Sequence, residues 1–217
     1  MAEPDFVIIG AMKCGTSTLA AQLGAQKGVF ITDPKEPNFF SDDANYRKGL
    51  NWYKALFATA PADALKGEAS THYTKLPTYP LAAERLHAVN PNAKLIYLTR
   101  DPIDRIVSHY IHEWTMGVMN EPLDEAIRLY PELIAYSQYD YQLAPWRELF
   151  PGENILVMSL EELQMKPQAT LDKVAIFLGR PGEFTWHDDL ERVNVSAERI
   201  RRFPGYGLLI ANPIMTK

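Results

Sequence analysis

The sequence contains one cysteine and no long hydrophobic run. Cys14 has no partner for a disulfide within the chain, which is typical of a reducing compartment. No segment approaches the roughly 20 apolar residues that a membrane span needs, so nothing in the sequence suggests a membrane protein. The opening residues, MAEPDF, carry acids where a secretion signal carries basic residues. Together these absences predict a cytoplasmic protein.

Positive charge is also scarce. The chain has 22 Lys and Arg against 27 Asp and Glu, with a net charge of −5, so no global basic field recruits nucleic acid. Any anion must therefore bind at a local site. Arg199, Arg201 and Arg202 cluster in ERIRRF, a pattern more typical of a solvated helix face than of a binding site.

Short apolar runs alternate with longer amphipathic segments, which predicts an α/β fold with a central parallel sheet of about five strands flanked by helices. The length of 217 residues suits a single domain over residues 1–217. The predicted strands are DFVIIG, VFIT, ALKGEAS, AKLIYLTR and NILVMSL. Helices are expected at about 17–26, 46–60, 79–90, 101–114, 137–150 and 169–179. We expect Asp101 to cap the fourth helix and Pro145 to interrupt the fifth.

The segment GAMKCGTST, at 10–18, joins the first strand to the first helix. Its two glycines permit a tight loop, and the amides of the loop and of the helix start would converge on one point. Thr16, Ser17 and Thr18 add hydroxyl donors. The sequence therefore predicts a phosphate-binding loop, with a plain strand-to-helix turn as the alternative.

The lysine of this loop is displaced. An ATP-binding loop carries lysine after its second glycine, whereas this chain has Thr16 there and Lys13 at the crest of the loop. A lysine at the crest would lie beside an oxygen that gains negative charge as a bond breaks. The alternative is a surface lysine on an exposed loop.

With this loop and three further segments, KEPNFF at 35–40, GEASTHY at 67–73 and LIYLTRDPIDRIVSHY at 95–110, the first half of the chain resembles the sulfotransferases that use 3′-phosphoadenosine 5′-phosphosulfate (PAPS). The branch with heparan sulfate sulfotransferases and bacterial relatives is the most similar. The resemblance implies a three-layer fold of the phosphate-binding-loop type and sulfuryl transfer from PAPS, which leaves adenosine 3′,5′-bisphosphate.

The resemblance implies that the loop holds the 5′-phosphosulfate and that Lys13 stabilises the departing oxygen. It also implies that Arg100 and Ser108 bind the 3′-phosphate. From the residues alone, Arg100 could instead pair with Asp101 or Asp104. Near the end of the chain, a basic residue followed by glycine is expected to close over the nucleotide. The complete set of predicted donor-binding residues is Lys13, Cys14, Gly15, Thr16, Ser17, Thr18, Arg100, Ser108, Arg201, Arg202 and Gly205.

The resemblance assigns Glu36 as the base that removes the acceptor's proton. Because a carboxylate with an ordinary pKa is a weak base, we expect burial near aromatic neighbours to raise the pKa of Glu36. His72 is the rival base, since an unperturbed histidine titrates near neutrality. Residues expected to contact the acceptor are Lys35, Asn38, Phe39 and Tyr73.

Two other functions share the predicted fold. A small-molecule kinase would need a lysine after Gly15 and an aspartate that holds magnesium, and neither is present. A non-catalytic nucleotide-binding module would keep the loop without the chemistry. Sulfuryl transfer requires no metal in principle, so none is expected. The acidic chain argues against a highly anionic polysaccharide as acceptor and favours a small molecule, sugar or lipid, while the oligomeric state is not determined by the sequence.

Overall fold

A computed structural model describes residues 3–190 of the chain. Their centre is one five-stranded sheet, in which every recorded pairing of neighbouring strands is parallel. The strands are β1 (Phe6–Gly10), β2 (Val29–Ile31), β3 (Leu65–Ala69), β4 (Lys94–Thr99) and β5 (Ile155–Ser159). This confirms the predicted fold class and all five predicted strands.

Helices make up much of the rest of the described chain. They are α1 (Thr16–Gly24), α2 (Asp43–Tyr46), α3 (Leu50–Ala55), α4 (Ala82–Val89), α5 (Pro102–Thr115), α6 (Leu123–Leu129), α7 (Glu132–Ala135), α8 (Tyr139–Leu149), α9 (Leu160–Met165) and α10 (Pro167–Phe177). Short 3₁₀ turns span Thr71–Thr74 and Gly152–Asn154. Asp101 caps α5 as predicted, because its carboxylate accepts hydrogen bonds from the amides of Ile103 and Asp104.

The strand order, β2-β3-β1-β4-β5, places β1 at the centre of the sheet. All five residues of β1 are buried, and so are the four middle residues of β4. Strands covered on both faces need continuous apolar sequence, which explains the runs FVIIG and LIYL. From β1 the chain builds one side of the sheet with β2 and β3 and then crosses to the other side with β4. This reversal opens a crevice at the carboxyl ends of the central strands, where ligands bind in such sheets.

Two helix predictions were wrong in detail. Helix α8 continues through Pro145. The hydrogen bond that Pro145 cannot donate would go to the carbonyl of Tyr141, a residue 46% exposed, so water can replace it. The predicted helix at 46–60 is instead split, because Gly49 has a φ of 82° and separates α2 from α3.

Candidate active site

The loop between β1 and α1 needs glycine at both of its hinge positions. Gly10 has a φ of +152°, and a Cβ there would lie 2.0 Å from Thr74 Oγ1. Gly15 has a φ of +86°, and a Cβ there would lie 2.7 Å from Leu160 Cδ1. Any other residue would collide with these neighbours or strain the backbone. Glycine spacing in the sequence therefore identified a loop whose backbone is closely packed against the 3₁₀ turn and α9.

The start of α1 is suited to an anion. The helix begins at Thr16, its N-cap is Gly15, and no side chain among the described residues caps it. Its first turn contains no acidic residue, so the positive end of the helix dipole is not neutralised from within the helix. Thr16 is buried, whereas Ser17 and Thr18 are partly exposed and can offer hydroxyl groups.

Lys13 lies at the crest of this loop with a φ of 69° and is partly buried. A left-handed backbone at a non-glycine residue is uncommon and marks a position fixed by its surroundings. Lys13 thus has a defined backbone orientation between Met12 and Cys14, and its role at the departing oxygen stays a prediction.

Cys14 differs from the other loop residues because its side chain points inward. It is fully buried, and its Sγ lies 3.6 Å from the carbonyl oxygen of Met12 and 3.7 Å from the hydroxyl of Tyr139. Burial raises the pKa of the thiol to about 11, although the hydrogen bond with Tyr139 opposes this shift. With this raised pKa, the thiol is protonated at neutral pH. The Cys14 side chain fills space beneath the loop.

Arg100 follows the last residue of β4, at the carboxyl edge of the sheet. Its backbone is fixed by Tyr139, whose hydroxyl donates to the Arg100 carbonyl at 2.8 Å and accepts from the Arg100 amide at 3.2 Å. The guanidinium lies 3.5 Å from Asp104 Oδ2. Of the two aspartates that the sequence offered as partners for Arg100, Asp104 is therefore the one that pairs with it, while Asp101 caps the helix. Ser108, two turns into α5, is 3% exposed.

One cation near this edge is completely buried. Arg105, on α5, is 0% exposed and donates to the Ser137 hydroxyl and to the Leu133 carbonyl. Its Nη2 lies 3.4 Å from His109 Nδ1, while Nη1 has no hydrogen-bond partner within residues 3–190. Burial lowers the pKa of Arg105 from its usual value. A buried guanidinium with an unsatisfied nitrogen favours an anion nearby.

Glu36 lies on the loop that follows β2. Its amide donates to the Ala69 carbonyl at 3.0 Å, which ties the loop to the end of β3. The carboxylate is 2.9 Å from Lys35 Nζ and accepts a hydrogen bond from Thr71 Oγ1 at 3.2 Å. About a third of the side chain, 31%, remains exposed. The predicted base is thus held between two elements and stays accessible.

The pKa of Glu36 was expected to be raised, and that expectation was wrong. Burial does act to raise this pKa, but the neighbouring positive charges of Lys35 and Lys75 outweigh it, so the pKa lies below the usual value. Glu36 is therefore ionised at neutral pH and ready to accept a proton, although its intrinsic basicity is low.

The pKa of His72 also differs from the value near neutrality that the sequence predicted. Burial and the charge of Lys75 lower its pKa to about 4. Its ring stacks on Tyr79 with the centroids 4.8 Å apart, and its Nδ1 is buried with no hydrogen-bond partner among the described residues. Protonation would place a charge at an unsolvated nitrogen, which makes His72 a poor base.

Sequence reasoning overlooked Lys75. Burial lowers the pKa of this lysine to about 8, against the opposing charges of Glu36 and Glu113. Its Nζ lies 5.9 Å from the ring centroid of Tyr136. A lysine immediately after the motif GEASTHYT carries no distinctive pattern, so only the burial of the side chain beside Glu36 reveals it.

The predicted acceptor contacts divide into two groups. Lys35 and Asn38 lie on the Glu36 loop, and Asn38 Oδ1 is buried with no partner within the described part of the chain. Phe39 and Tyr73, in contrast, are each 1% exposed and belong to the hydrophobic core. Phe39 stacks on Tyr53 with the centroids 4.7 Å apart. Their rings pack inside the protein, where the structure gives no support for contact with an acceptor.

Three predicted donor-binding residues, Arg201, Arg202 and Gly205, lie outside the described residues.

Within residues 3–190, no helix combines the length and the apolar character that crossing a membrane requires. In the same range, no group of three or more His, Cys, Asp or Glu side chains is placed to hold a metal ion. The expectation that the reaction needs no metal stays a prediction.

The parallel sheet and the loop before α1 define an α/β protein of the phosphate-binding-loop type. The family model "Sulfotransferase domain" matches residues 3–200. The chain therefore belongs to the sulfotransferase domain family, as the motifs predicted.

Solved and curated relatives agree with this assignment. A sulfotransferase from Alicyclobacillus acidocaldarius superposes with a TM-score of 0.76 at 28% identity, over 88% of this chain and 87% of that one. Human heparan sulfate glucosamine 3-O-sulfotransferase 6 is 32% identical, over 81% of this chain and 52% of its own length. Mouse bifunctional heparan sulfate N-deacetylase/N-sulfotransferase 2 is 27% identical, over 81% of this chain. The match therefore spans about half the length of the human protein and only 22% of the length of the mouse protein.

Proposed function

We propose that the protein transfers a sulfuryl group from PAPS to a hydroxyl or amine of an acceptor. The observation that carries this proposal is the closeness of two loops at one edge of the sheet. The phosphate loop follows β1, and the Glu36 loop is bonded to the end of β3, which pairs with β1 through Ile8 and Ala69. Adjacent strands thus support the loop proposed to bind phosphate and the carboxylate proposed as the base.

The proposed reaction replaces the sulfur–oxygen bond of the donor with a bond from sulfur to the acceptor atom. The acceptor oxygen or nitrogen forms a bond to sulfur as the bond from sulfur to the phosphate oxygen breaks. Glu36 takes the proton of the acceptor, and Lys13 stabilises the negative charge that develops on the departing phosphate oxygen. The products are a sulfated acceptor, adenosine 3′,5′-bisphosphate and a proton.

The described residues fit such a donor at both of its charged ends. The loop from Gly10 to Thr18 has the glycine hinges and the helix start that a 5′-phosphosulfate requires. The 3′-phosphate is proposed to bind Arg100 and Ser108, at the carboxyl end of β4 and on α5. Arg105, with its unsatisfied buried Nη1, adds positive charge on the same helix.

The acceptor is proposed to be a small molecule, sugar or lipid that presents a neutral hydroxyl or amine. Two buried polar atoms have no partner among residues 3–190: Asn38 Oδ1, on the same loop as Glu36, and His72 Nδ1, on the 3₁₀ turn after β3. Such atoms are expected to gain a hydrogen bond from a bound ligand. Both can accept a hydrogen bond, which suits an acceptor with several hydroxyl groups. The net charge of −5 disfavours a long polyanion.

A screen of acceptors with labelled PAPS tests this function. The panel contains simple sugars, phenols, apolar alcohols and a heparan sulfate oligosaccharide, each with PAPS or with Mg·ATP and labelled γ-phosphate. We expect sulfate transfer from PAPS to at least one neutral acceptor and no phosphate transfer. Transfer only to the heparan sulfate oligosaccharide would contradict the acceptor class, and phosphate transfer from ATP would contradict the reaction.

Recognition of the 3′-phosphate gives a separate prediction. Adenosine 3′,5′-bisphosphate is expected to raise the melting temperature more than adenosine 5′-phosphate does, because a ligand that binds only the folded state stabilises it. Arg100→Ala should weaken bisphosphate binding about 10- to 100-fold through the loss of charge-assisted hydrogen bonds. Arg128→Ala is the control, since the Arg128 side chain is 74% exposed. Equal binding of both nucleotides by the native protein would contradict the assignment.

The charges around Glu36 predict a directed change in its titration. Because Lys35 and Lys75 lower the pKa of Glu36, replacing either with methionine should raise that pKa, and Lys35→Met should have the larger effect. The acid limb of the activity profile should then move to higher pH. Lys48→Met, at an exposed lysine over Trp52, is the control. Carboxyl ¹³C titration of Glu36 by NMR measures the shift directly, and a lowered pKa in either variant would contradict the prediction.

A further inference from the structure

A second carboxylate lies close to Glu36 and has no role in the reaction proposed above. Glu68, the fourth residue of β3, is 0% exposed. Its Oε1 accepts hydrogen bonds from the hydroxyls of Tyr53 at 2.8 Å and Tyr73 at 2.7 Å, and its Oε2 accepts one from Ser70 Oγ at 2.7 Å. No lysine or arginine forms an ion pair with it among the described residues.

Such an arrangement is costly to bury. A carboxyl group removed from water without a cationic partner destabilises a fold unless hydrogen bonds compensate. Burial raises the pKa of Glu68, and the hydroxyls of Ser70, Tyr73 and Tyr53 oppose that rise. An apolar side chain on a buried strand would avoid the cost. The network therefore needs a reason beyond packing.

Two of the three hydroxyls connect Glu68 by hydrogen bonds to the loop that carries the proposed base. Ser70 Oγ, while donating to Glu68, accepts a hydrogen bond from the amide of Asn38 at 3.1 Å. The hydroxyl of Tyr73 likewise accepts from the amide of Phe40 at 3.4 Å. The third hydroxyl, that of Tyr53, donates to Glu68 and is recorded in no hydrogen bond with the loop among the described residues.

The loop needs such support because its backbone is unusual. Glu36 has a φ of 59° and Asn38 a φ of 50°, so two non-glycine residues in three are left-handed. This conformation is unfavourable for residues with a Cβ and persists only where the surroundings fix it. A carboxylate acceptor holds each hydroxyl hydrogen in one direction, which leaves the hydroxyl lone pairs facing the loop amides.

We propose that Glu68 is a positioning residue that orients the hydroxyls of Ser70 and Tyr73, and that these in turn hold the loop with Glu36 in its reactive conformation. The proposal rests on the proposed role of Glu36 as the base. It explains the buried carboxylate, the two left-handed residues and the burial of Tyr73 as parts of one device. Tyr73 would thus serve the reaction through the loop and not through contact with the acceptor.

The three hydroxyls provide a matched set of variants. Ser70→Ala and Tyr73→Phe each remove one donor to Glu68 together with one contact to the loop. Tyr53→Phe removes a donor to the same carboxylate but no recorded contact to the loop, and it keeps the ring that stacks on Phe39. Each variant is expected to lower the melting temperature by a similar amount, about 3 to 10 °C, for the loss of one hydrogen bond to a charged group.

Two measurements then separate positioning from stability. Amide hydrogen exchange by NMR should accelerate at Asn38 in Ser70→Ala and at Phe40 in Tyr73→Phe, while Tyr53→Phe leaves both amides at the native rate. In the transfer assay, Ser70→Ala and Tyr73→Phe should lower kcat about 10-fold or more with an unchanged KM for PAPS, and Tyr53→Phe should keep the native kcat. Equal losses of kcat in all three variants, or native exchange rates in Ser70→Ala and Tyr73→Phe, would overturn the proposal.

The experiment also distinguishes this proposal from the assignment of Glu36. If Glu36→Gln leaves kcat unchanged, the base has been assigned wrongly and the positioning of a reactive carboxylate falls with it, whatever the exchange rates show. If Glu36→Gln abolishes transfer but Ser70→Ala and Tyr73→Phe keep the native kcat, Glu36 remains the base and only the positioning role of Glu68 is overturned.

Discussion

Lys13→Ala is expected to lower kcat for sulfuryl transfer by about 10²- to 10³-fold, which is the usual effect of removing one group that stabilises developing negative charge. The loop keeps its glycine hinges at Gly10 and Gly15 and its helix start in this variant, so the nucleotide should still bind. The affinity for adenosine 3′,5′-bisphosphate, measured by calorimetry, is expected to fall far less than kcat.

Lys27→Ala is the matched control for this result. Lys27 is an exposed lysine beyond the other end of α1, so its removal changes the net charge by the same amount without altering the loop. It should leave both kcat and the affinity for the nucleotide at native values. If Lys13→Ala retained the native kcat, Lys13 would have no part in the departure of the phosphate oxygen, and the non-catalytic nucleotide-binding module would become the better interpretation.

Glu36→Gln is expected to reduce transfer to the acceptor by about 10²- to 10⁴-fold, the usual contribution of a general base. The amide retains the shape of the side chain and can still accept a hydrogen bond from Thr71, so the loop should keep its conformation. Steady-state kinetics with a saturating acceptor measure the effect. Binding of adenosine 3′,5′-bisphosphate should be unaffected, because Glu36 faces the acceptor in this proposal.

The rival base provides the contrast. His72→Gln is expected to have a much smaller effect on kcat, since the pKa of about 4 makes His72 a weak base and its Nδ1 lacks a partner among the described residues. An effect on KM for the acceptor is expected instead if Nδ1 accepts a hydrogen bond from it. A loss of kcat in His72→Gln as large as that in Glu36→Gln would assign the proton transfer to both residues or to His72.

The pH dependence alone cannot identify the base, and the reason lies in the tertiary structure. From the sequence, the two candidate bases were a carboxylate with a raised pKa and a histidine that titrates near neutrality. In the folded protein, Lys35 and Lys75 hold the pKa of Glu36 below its usual value, while burial lowers that of His72 to about 4. The acid limbs that the two residues would produce then fall in the same acidic range, so only substitution separates them.

The sequence by itself determined the fold class, the glycine-hinged loop between β1 and α1, and the family. Continuous apolar runs such as FVIIG and LIYL are typical of strands that are covered on both faces, as in a parallel sheet. The glycines at 10 and 15 are required by a loop that packs closely against Thr74 and Leu160. These features depend on residues that are neighbours in the chain, so local patterns reveal them.

Only the tertiary structure decided which side chains face the site and what their pKa values are. Phe39 and Tyr73 belong to motifs that predicted contact with the acceptor, yet both are buried, and Lys75 drew no attention in the sequence. Glu68 acquires its three hydroxyl partners from α3 and from the segment after β3. Burial and charge depend on residues that are distant in the chain, because desolvation and Coulomb interactions act through space.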